Sequence, residues 1–220
     1  MTDSLRPLAA RPLMRRVHPV LDRIFRLAYR VTVLGQAQLP TSGPVILVAN
    51  HSGVLDGPLV ASLCPRVPHF LVKQELYAGL VGRLLTALGQ IPVDRSTGDR
   101  RALAAAREVL DAGECVGVFP EGTRGAGEVE SIQQGAAWLA LQSGATVVPV
   151  ACRGTRPAGR GAGALPRPRA RILVAFGEPF VVRPGTRDDG RPLPGRERLR
   201  DATLQVHQRL RDHVAATPPR

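Results

Sequence analysis

At 220 residues and 44% hydrophobic content, the chain suits one globular domain with a core of useful size. Its net charge of +12 favours anionic partners: nucleic acid, acidic lipid headgroups, phosphorylated substrates or an acidic carrier protein. Cys64, Cys115 and Cys152 are widely spaced with no C-x-x-C, and the five histidines show no ligand spacing, which argues against a disulfide framework or a metal site and for a reducing compartment.

The first dozen residues read as a basic, proline-bearing lead. From Leu13 to Arg30, the residues Leu13, Val17, Val20, Leu21, Ile24, Leu27 and Ala28 recur at helical spacing, with Arg15, Arg16, Arg23, Arg26 and Arg30 mostly between them. Pro19 is expected to start or kink this helix. A basic amphipathic helix can lie in a membrane interface or pack its stripe on the core, and membrane contact is the expectation here. No apolar run approaches the roughly 18 residues of a spanning helix, and no secretory core is visible, so no spanning segment is expected.

Arg30–Gly35 and Val45–Ala49 read as strands, Asp56-Gly57-Pro58 as an N-cap and first turn running to Leu63, and His69–Val72 as a short strand. Leu76–Leu88 reads as a helix closed by Gly89, and Ile91–Val93 as a strand end. Ser96 and Asp99 are candidate caps for a helix over Arg101–Leu110. Cys115–Phe119 is a buried strand, Ser131–Gln142 a helix, and Thr146–Ala151 another strand. Arg153–Arg169 lacks periodicity and reads as a long loop, Arg171–Phe176 as a late strand, Pro184–Gly195 as a second loop. Leu199, Thr203, Val206, Leu210 and Val214 mark a C-terminal amphipathic helix. Short buried strands alternating with helices predict an α/β fold with a central, mostly buried sheet flanked by helices, plus the N-terminal amphipathic helix. The expected organisation is residues 1–30 as lead and helix, 31–182 as the main domain, and 183–220 as a loop and a helix packing on it.

Two glycine-bearing strings are set aside. Gly159-x-Gly161-x-x-Ala164 is followed by Pro166 and Pro168 where a dinucleotide-binding helix should run, and Gly122–Gly127 lacks the Gly-Lys-Ser/Thr ending of a P-loop. The informative string is Asn50-His51-Ser52-Gly53-Val54-Leu55-Asp56, followed by Phe119-Pro120-Glu121-Gly122-Thr123-Arg124. His51 and Asp56 are five residues apart, so they would not share a face of one helix. They meet if His51 sits in the loop after Val45–Ala49 and Asp56 opens the next helix. His51 and Asp56 read as a base and its orienting group, with no serine or cysteine joined to them as a nucleophile. A substrate hydroxyl can fill that place, which makes acyl transfer to a bound alcohol the expected chemistry.

Asn-His-x4-Asp, then Ile91-Pro92-Val93-Asp94-Arg95, Phe-Pro-Glu-Gly-Thr-Arg and Val148-Pro149-Val150 resemble the four ordered motifs of the glycerolipid acyltransferases. The bacterial 1-acyl-glycerol-3-phosphate acyltransferases are the nearest members in pattern, and the resemblance runs from about Leu34 to about Pro179. It implies His51 as general base and Asp56 as the group that orients it. It implies substrate-binding roles for Asn50, Lys73, Arg95, Glu121, Gly122, Thr123 and Arg124, with the arginines on the acceptor phosphate, and no metal. Where many relatives carry a lysine before the glycine of the following helix, this chain reads Gln133-Gln134-Gly135. The implied substrates are a lysophosphatidic acid acceptor and an acyl-CoA or acyl-carrier-protein donor, with no further cofactor. The implied location is the cytoplasmic face of a bacterial cell membrane, peripheral or monotopic. Acylation of another lysolipid, an aminolipid or a glycolipid is the enzymatic alternative. A basic nucleic-acid-binding protein is the alternative of another class, disfavoured by few aromatics and no reading motif.

Overall fold

The computed structural model describes residues 11–94, 99–122, 128–129, 132–161, 163–186 and 191–219. In chain order the strands are β1 (Arg30–Leu34), β2 (Val45–Ala49), β3 (Pro68–Lys73), β4 (Ile91–Val93), β5 (Cys115–Val118), β6 (Thr146–Arg153), β7 (Arg171–Phe176) and β8 (Phe180–Val181). The helices are α1 (Arg11–Ala28), α2 (Asp56–Leu63), α3 (Gly79–Ala87), α4 (Arg100–Asp111), α5 (Gly135–Ser143) and α6 (Gly195–Ala216). Short 3₁₀ turns at Gln36–Gln38 and Gln74–Tyr77 complete them.

One sheet organises the chain, in the order β1-β7-β6-β2-β5-β3-β4, with β8 beside β6. The strands β6, β2, β5, β3 and β4 run parallel to one another, whereas β7 and β8 are antiparallel to β6 and β7 is parallel to β1. Every residue of β2 is buried, as a central parallel strand covered on both faces requires. Burying each of its large aliphatic side chains contributes about 1.5–3 kcal/mol, well above the intrinsic preference of any one residue for a strand. Burial therefore decides this element.

Alternation along β2 divides the core. Ile46 and Val48 face a cluster built with Val109 and Leu110 of α4, Leu139 of α5, and Val206 and Leu210 of α6. Val45, Leu47 and Ala49 face the other cluster, with Leu59, Val60 and Leu63 of α2 and with Phe25 on α1. Helices α4, α5 and α6 thus cover one face, and α1 and α2 the other.

Boundaries moved in several places. Asp56 does not cap α2; it is the first helical residue, and Leu55 is the cap. The expected Leu76–Leu88 helix breaks at Gly79 (φ 60) into a 3₁₀ turn and α3. Asp99 caps α4 through Arg101 and Ala102 N–H at 2.9 and 3.1 Å, as expected, while Ser96 lies outside the described residues. The α1 stripe is also redrawn. Met14, Phe25 and Ala28 turn inward with Val17 and Leu21, but Leu13, Val20, Ile24 and Leu27 are exposed. The apolar arc is wider than one packing face needs. Among the described residues no helix is long and apolar enough to cross a membrane.

Candidate active site

Parallel strands bring their carboxyl ends to one edge, and β2 is where chain order reverses. From β2 the chain goes on to β3, beyond β5; from β5 it returns past β2 to β6. Such a switch point leaves a crevice at the strand ends, where open α/β sheets bind ligands. His51 sits there, two residues beyond β2, and Asp56 opens α2 on the far side of a four-residue loop.

His51 Nδ1 lies 3.0 Å from Asp56 Oδ2. The same oxygen accepts the backbone N–H of Ser52 at 2.7 Å and of Gly53 at 2.8 Å. The loop therefore wraps around one carboxylate oxygen, which holds the imidazole while closing the turn that delivers it. With a carboxylate on Nδ1, the ring proton belongs on that nitrogen and the Nε2 lone pair is left for chemistry. Asp56 is fully buried, and the His51 side chain keeps only a 10% opening. Among the described residues, Asp56 Oδ1 is buried without a hydrogen-bond partner.

Glu121, which follows β5, accepts the His51 backbone N–H through Oε1 at 2.8 Å. Burial is the main influence on this carboxyl and holds its pKa above the ordinary glutamate range, although the hydrogen bond from His51 pulls the other way. Phe119 stacks on the imidazole, with ring centroids 4.1 Å apart, and is itself stacked on Phe70 at 5.2 Å. The imidazole is thereby fixed at one nitrogen and on one ring face. Gly122, at φ 73, closes a turn through its N–H to the Phe119 carbonyl at 3.1 Å, and a Cβ there would lie 2.5 Å from Gln133 Nε2.

The sequence-predicted residues divide into three groups. His51, Asp56 and Glu121 come together, with Gly122 in the adjoining turn. Asn50 is buried at the same edge, but its amide links β2 to β6: Nδ2 donates to the Cys152 carbonyl at 3.2 Å and Oδ1 accepts from Cys152 N–H at 2.7 Å. Lys73 ends β3 on the same edge, exposed and paired with Glu75 at 2.8 Å. Arg95, Thr123 and Arg124 lie outside the described residues. Sequence reasoning missed Thr155, whose hydroxyl meets Ser52 Oγ at 3.0 Å and whose carbonyl would lie 2.7 Å from a Cβ on Gly53. No local signal links residues so far apart in sequence; only the pairing of β2 with β6 does.

On the α4/α5 face of this edge lies a cavity of about 360 Å³. Leu71, Val93, Leu103, Trp138, Leu139 and Leu199 make it largely apolar, Asp94, Asp99, Gln133 and Gln134 add polar groups, and Phe119 and Pro120 form the wall nearest His51. Among the described residues no group of three or more His, Cys, Asp or Glu side chains is gathered as metal ligands would be.

The chain is similar to known proteins in sequence and in fold. The family model described as Acyltransferase matches residues 30–153. The chain is 28% identical over 194 residues to the 1-acyl-sn-glycerol-3-phosphate acyltransferase of Bacillus subtilis (strain 168), covering 87% of this chain and 92% of that protein. It is 35% identical over 126 residues to the human 1-acyl-sn-glycerol-3-phosphate acyltransferase alpha, covering 55% of this chain but 44% of the human one. The crystal structure of the 1-acyl-sn-glycerophosphate (LPA) acyltransferase PlsC from Thermotoga maritima superposes with a TM-score of 0.66 at 25% identity, covering 100% of this chain and 86% of that one. The matched region holds the sheet edge, the His51–Asp56 pair and the Glu121 turn, and the chain belongs to the Acyltransferase family.

Proposed function

We propose that the protein transfers a fatty acyl group from a thioester to the free hydroxyl of a lysophosphatidic acid, forming phosphatidic acid. The observation that carries this reading is the His51 Nδ1 contact with Asp56 Oδ2 at 3.0 Å, at a strand-end crevice where the one nearby motif hydroxyl, Ser52 Oγ, meets Thr155 Oγ1 at 3.0 Å. His51 Nε2 takes the proton as the acceptor oxygen attacks the thioester carbonyl. The C–O bond forms, the C–S bond breaks, and the proton passes to the leaving thiolate. Asp56 orients the ring and stabilises the imidazolium. Names of the similar proteins support the acceptor class, and the family resemblance assigns Arg95 and Arg124 to its phosphate, a role that bidentate guanidinium geometry suits. Phe119 and Pro120 line the apolar cavity, which suits the acyl chain.

The same reading places the protein at the cytoplasmic face of the membrane with acyl-CoA or acyl carrier protein as donor. Exposed Leu13, Val20, Ile24 and Leu27 on α1, beside exposed Arg15, Arg16, Arg23 and Arg26, support interfacial contact. The test is phosphatidic acid formation by purified protein with each donor and a panel of lysolipid, aminolipid and glycolipid acceptors. His51→Ala is expected to lose about 10²–10⁴-fold in rate while remaining folded. Asp56→Asn should also be severe. Near-normal turnover in folded His51→Ala refutes the mechanism, and efficient acylation only of an acceptor without phosphate refutes the acceptor.

A further inference from the structure

The α3 helix carries an apolar face that the fold does not use. Leu80 and Leu84, one turn apart, are 80% and 57% exposed, and neighbouring Val81 is 55% exposed. The 3₁₀ turn before the helix adds Leu76, also exposed. Inward, the segment offers little: Gly82 is the buried residue of α3, and Tyr77, Leu85 and Leu88 are half-buried. No α3 side chain belongs to either core cluster. Core packing does not account for three large aliphatic residues on the outside of a nine-residue helix.

Topology says where this face points. The steps from β2 through α2 to β3 and from β3 through α3 to β4 advance in the same direction across a parallel sheet. Right-handed crossovers therefore put α2 and α3 on the same face. The opposite face of this end of the sheet is already taken by α4, whose Val109 and Leu110 share a core cluster with Ile91 of β4. At the other side of α2, α1 packs on the same face and exposes Val20, Ile24 and Leu27. Apolar ridges on α1 and α3 thus lie on the face that also carries the helix whose first residue is Asp56.

We propose that α3 is a second membrane-contacting element, and that α1 and α3 together seat this face on a lipid surface with the His51 edge between them. The proposal rests on the lipid acceptor argued above. Charge supports a lipid occupant: the charged residue of α3 is exposed Arg83, and the acidic Glu75 of the preceding turn is paired with Lys73 at 2.8 Å. A shared face with the basic apolar surface of α1 favours a bilayer over a small partner protein. Contact on both sides of α2 would bring the crevice close to a lysolipid that is still partly embedded.

The test is co-sedimentation of the full chain with phosphatidylglycerol-rich vesicles lacking both donor and acceptor, so it is independent of whether acyl transfer has been assigned correctly. Paired Leu80→Gln and Leu84→Gln substitutions keep helix propensity. Their loss of apolar insertion is expected to lower the partition coefficient about tenfold or more, at low and high salt alike. Leu204→Gln, at an exposed position of α6 on the other face, should leave it unchanged. Transfer to a short-chain, monomeric lysophosphatidic acid should also be unaffected in the paired variant, whereas transfer to vesicle-embedded acceptor falls. In a separate Leu80→Trp variant, emission corrected for Trp138 should shift to the blue on adding vesicles. Unchanged partition, or no blue shift, overturns the proposal. It is equally overturned if the paired variant loses only acyl-carrier-protein binding or only self-association, because the face then belongs to a protein.

Discussion

A histidine acts as a base only when its other nitrogen is held, and the loop from His51 to Asp56 does this with one carboxylate oxygen. Three donors converge on Asp56 Oδ2, two of them backbone N–H groups inside the same loop. The five-residue spacing, too far around for one helix face, is what allows a turn to close on the carboxylate. Glu121 belongs to the same unit, and burial raises its pKa. In the unfolded chain this carboxyl ionises near its ordinary value, so the folded state is favoured most below about pH 4.3. Its relative stability falls as pH rises through the raised folded value. Glu121→Gln keeps an oxygen for the His51 N–H and removes the ionisation. The variant should gain stability relative to the wild type between pH 4 and neutrality, read as the difference in urea midpoints across about that range. A constant difference over the range would show that the carboxyl is not perturbed.

At the scale of elements, α1 shows how an apolar pattern can be legible while its division between core and surface is not. Helical spacing was visible, but the stripe assigned from sequence included Val20, Ile24 and Leu27, which face outward, and omitted Met14 and Phe25, which pack inward. Periodicity reveals that a helix is amphipathic; it does not say which part of a broad apolar arc meets protein. Replacing Arg15, Arg16, Arg23 and Arg26 with Gln leaves both parts in place. Each basic residue close to an anionic surface contributes roughly 1 kcal/mol, so the quadruple variant should bind anionic vesicles at least tenfold more weakly at low salt, with a smaller difference at high salt. Circular dichroism should show an unchanged fold. Equal binding at both salts would mean that these arginines do not face lipid. The α3 face responds differently to salt because its contribution is apolar.

For the whole molecule, the positive charge has more than one use. Arg66 donates to the carbonyls of Pro40, Gly43 and Gly113 and ties three loops together, and Arg153 reaches the Val214 carbonyl at the end of α6. Those two guanidinium groups hold the fold, while Arg15, Arg16, Arg23 and Arg26 remain exposed. The cavity of about 360 Å³ likewise exists only where β3, β4, β5, α4 and α5 converge. If it takes the acyl chain, Leu103→Trp on its wall should shift the donor preference toward shorter chains. A donor series from short to long acyl-CoA measures this. Overpacking costs typically about 1–3 kcal/mol, so thermal melting must accompany the assay; an unchanged chain-length profile in a folded variant would place the acyl chain elsewhere.

By itself the sequence determined the alternation of short buried strands and helices, the His51–Asp56 spacing, and the four ordered motifs that identify the family. These are local patterns, set by burial over five or six residues and by turn chemistry within one loop. Tertiary structure alone decided that Asn50 links β2 to the Cys152 backbone of β6, that Glu121 reaches back to the His51 N–H, and that Thr155 closes on Gly53. It also decided that Leu80 and Leu84 stay outside. Each depends on which strands are neighbours in the sheet. That order arises from long-range packing and the handedness of crossovers, which no short stretch of sequence displays.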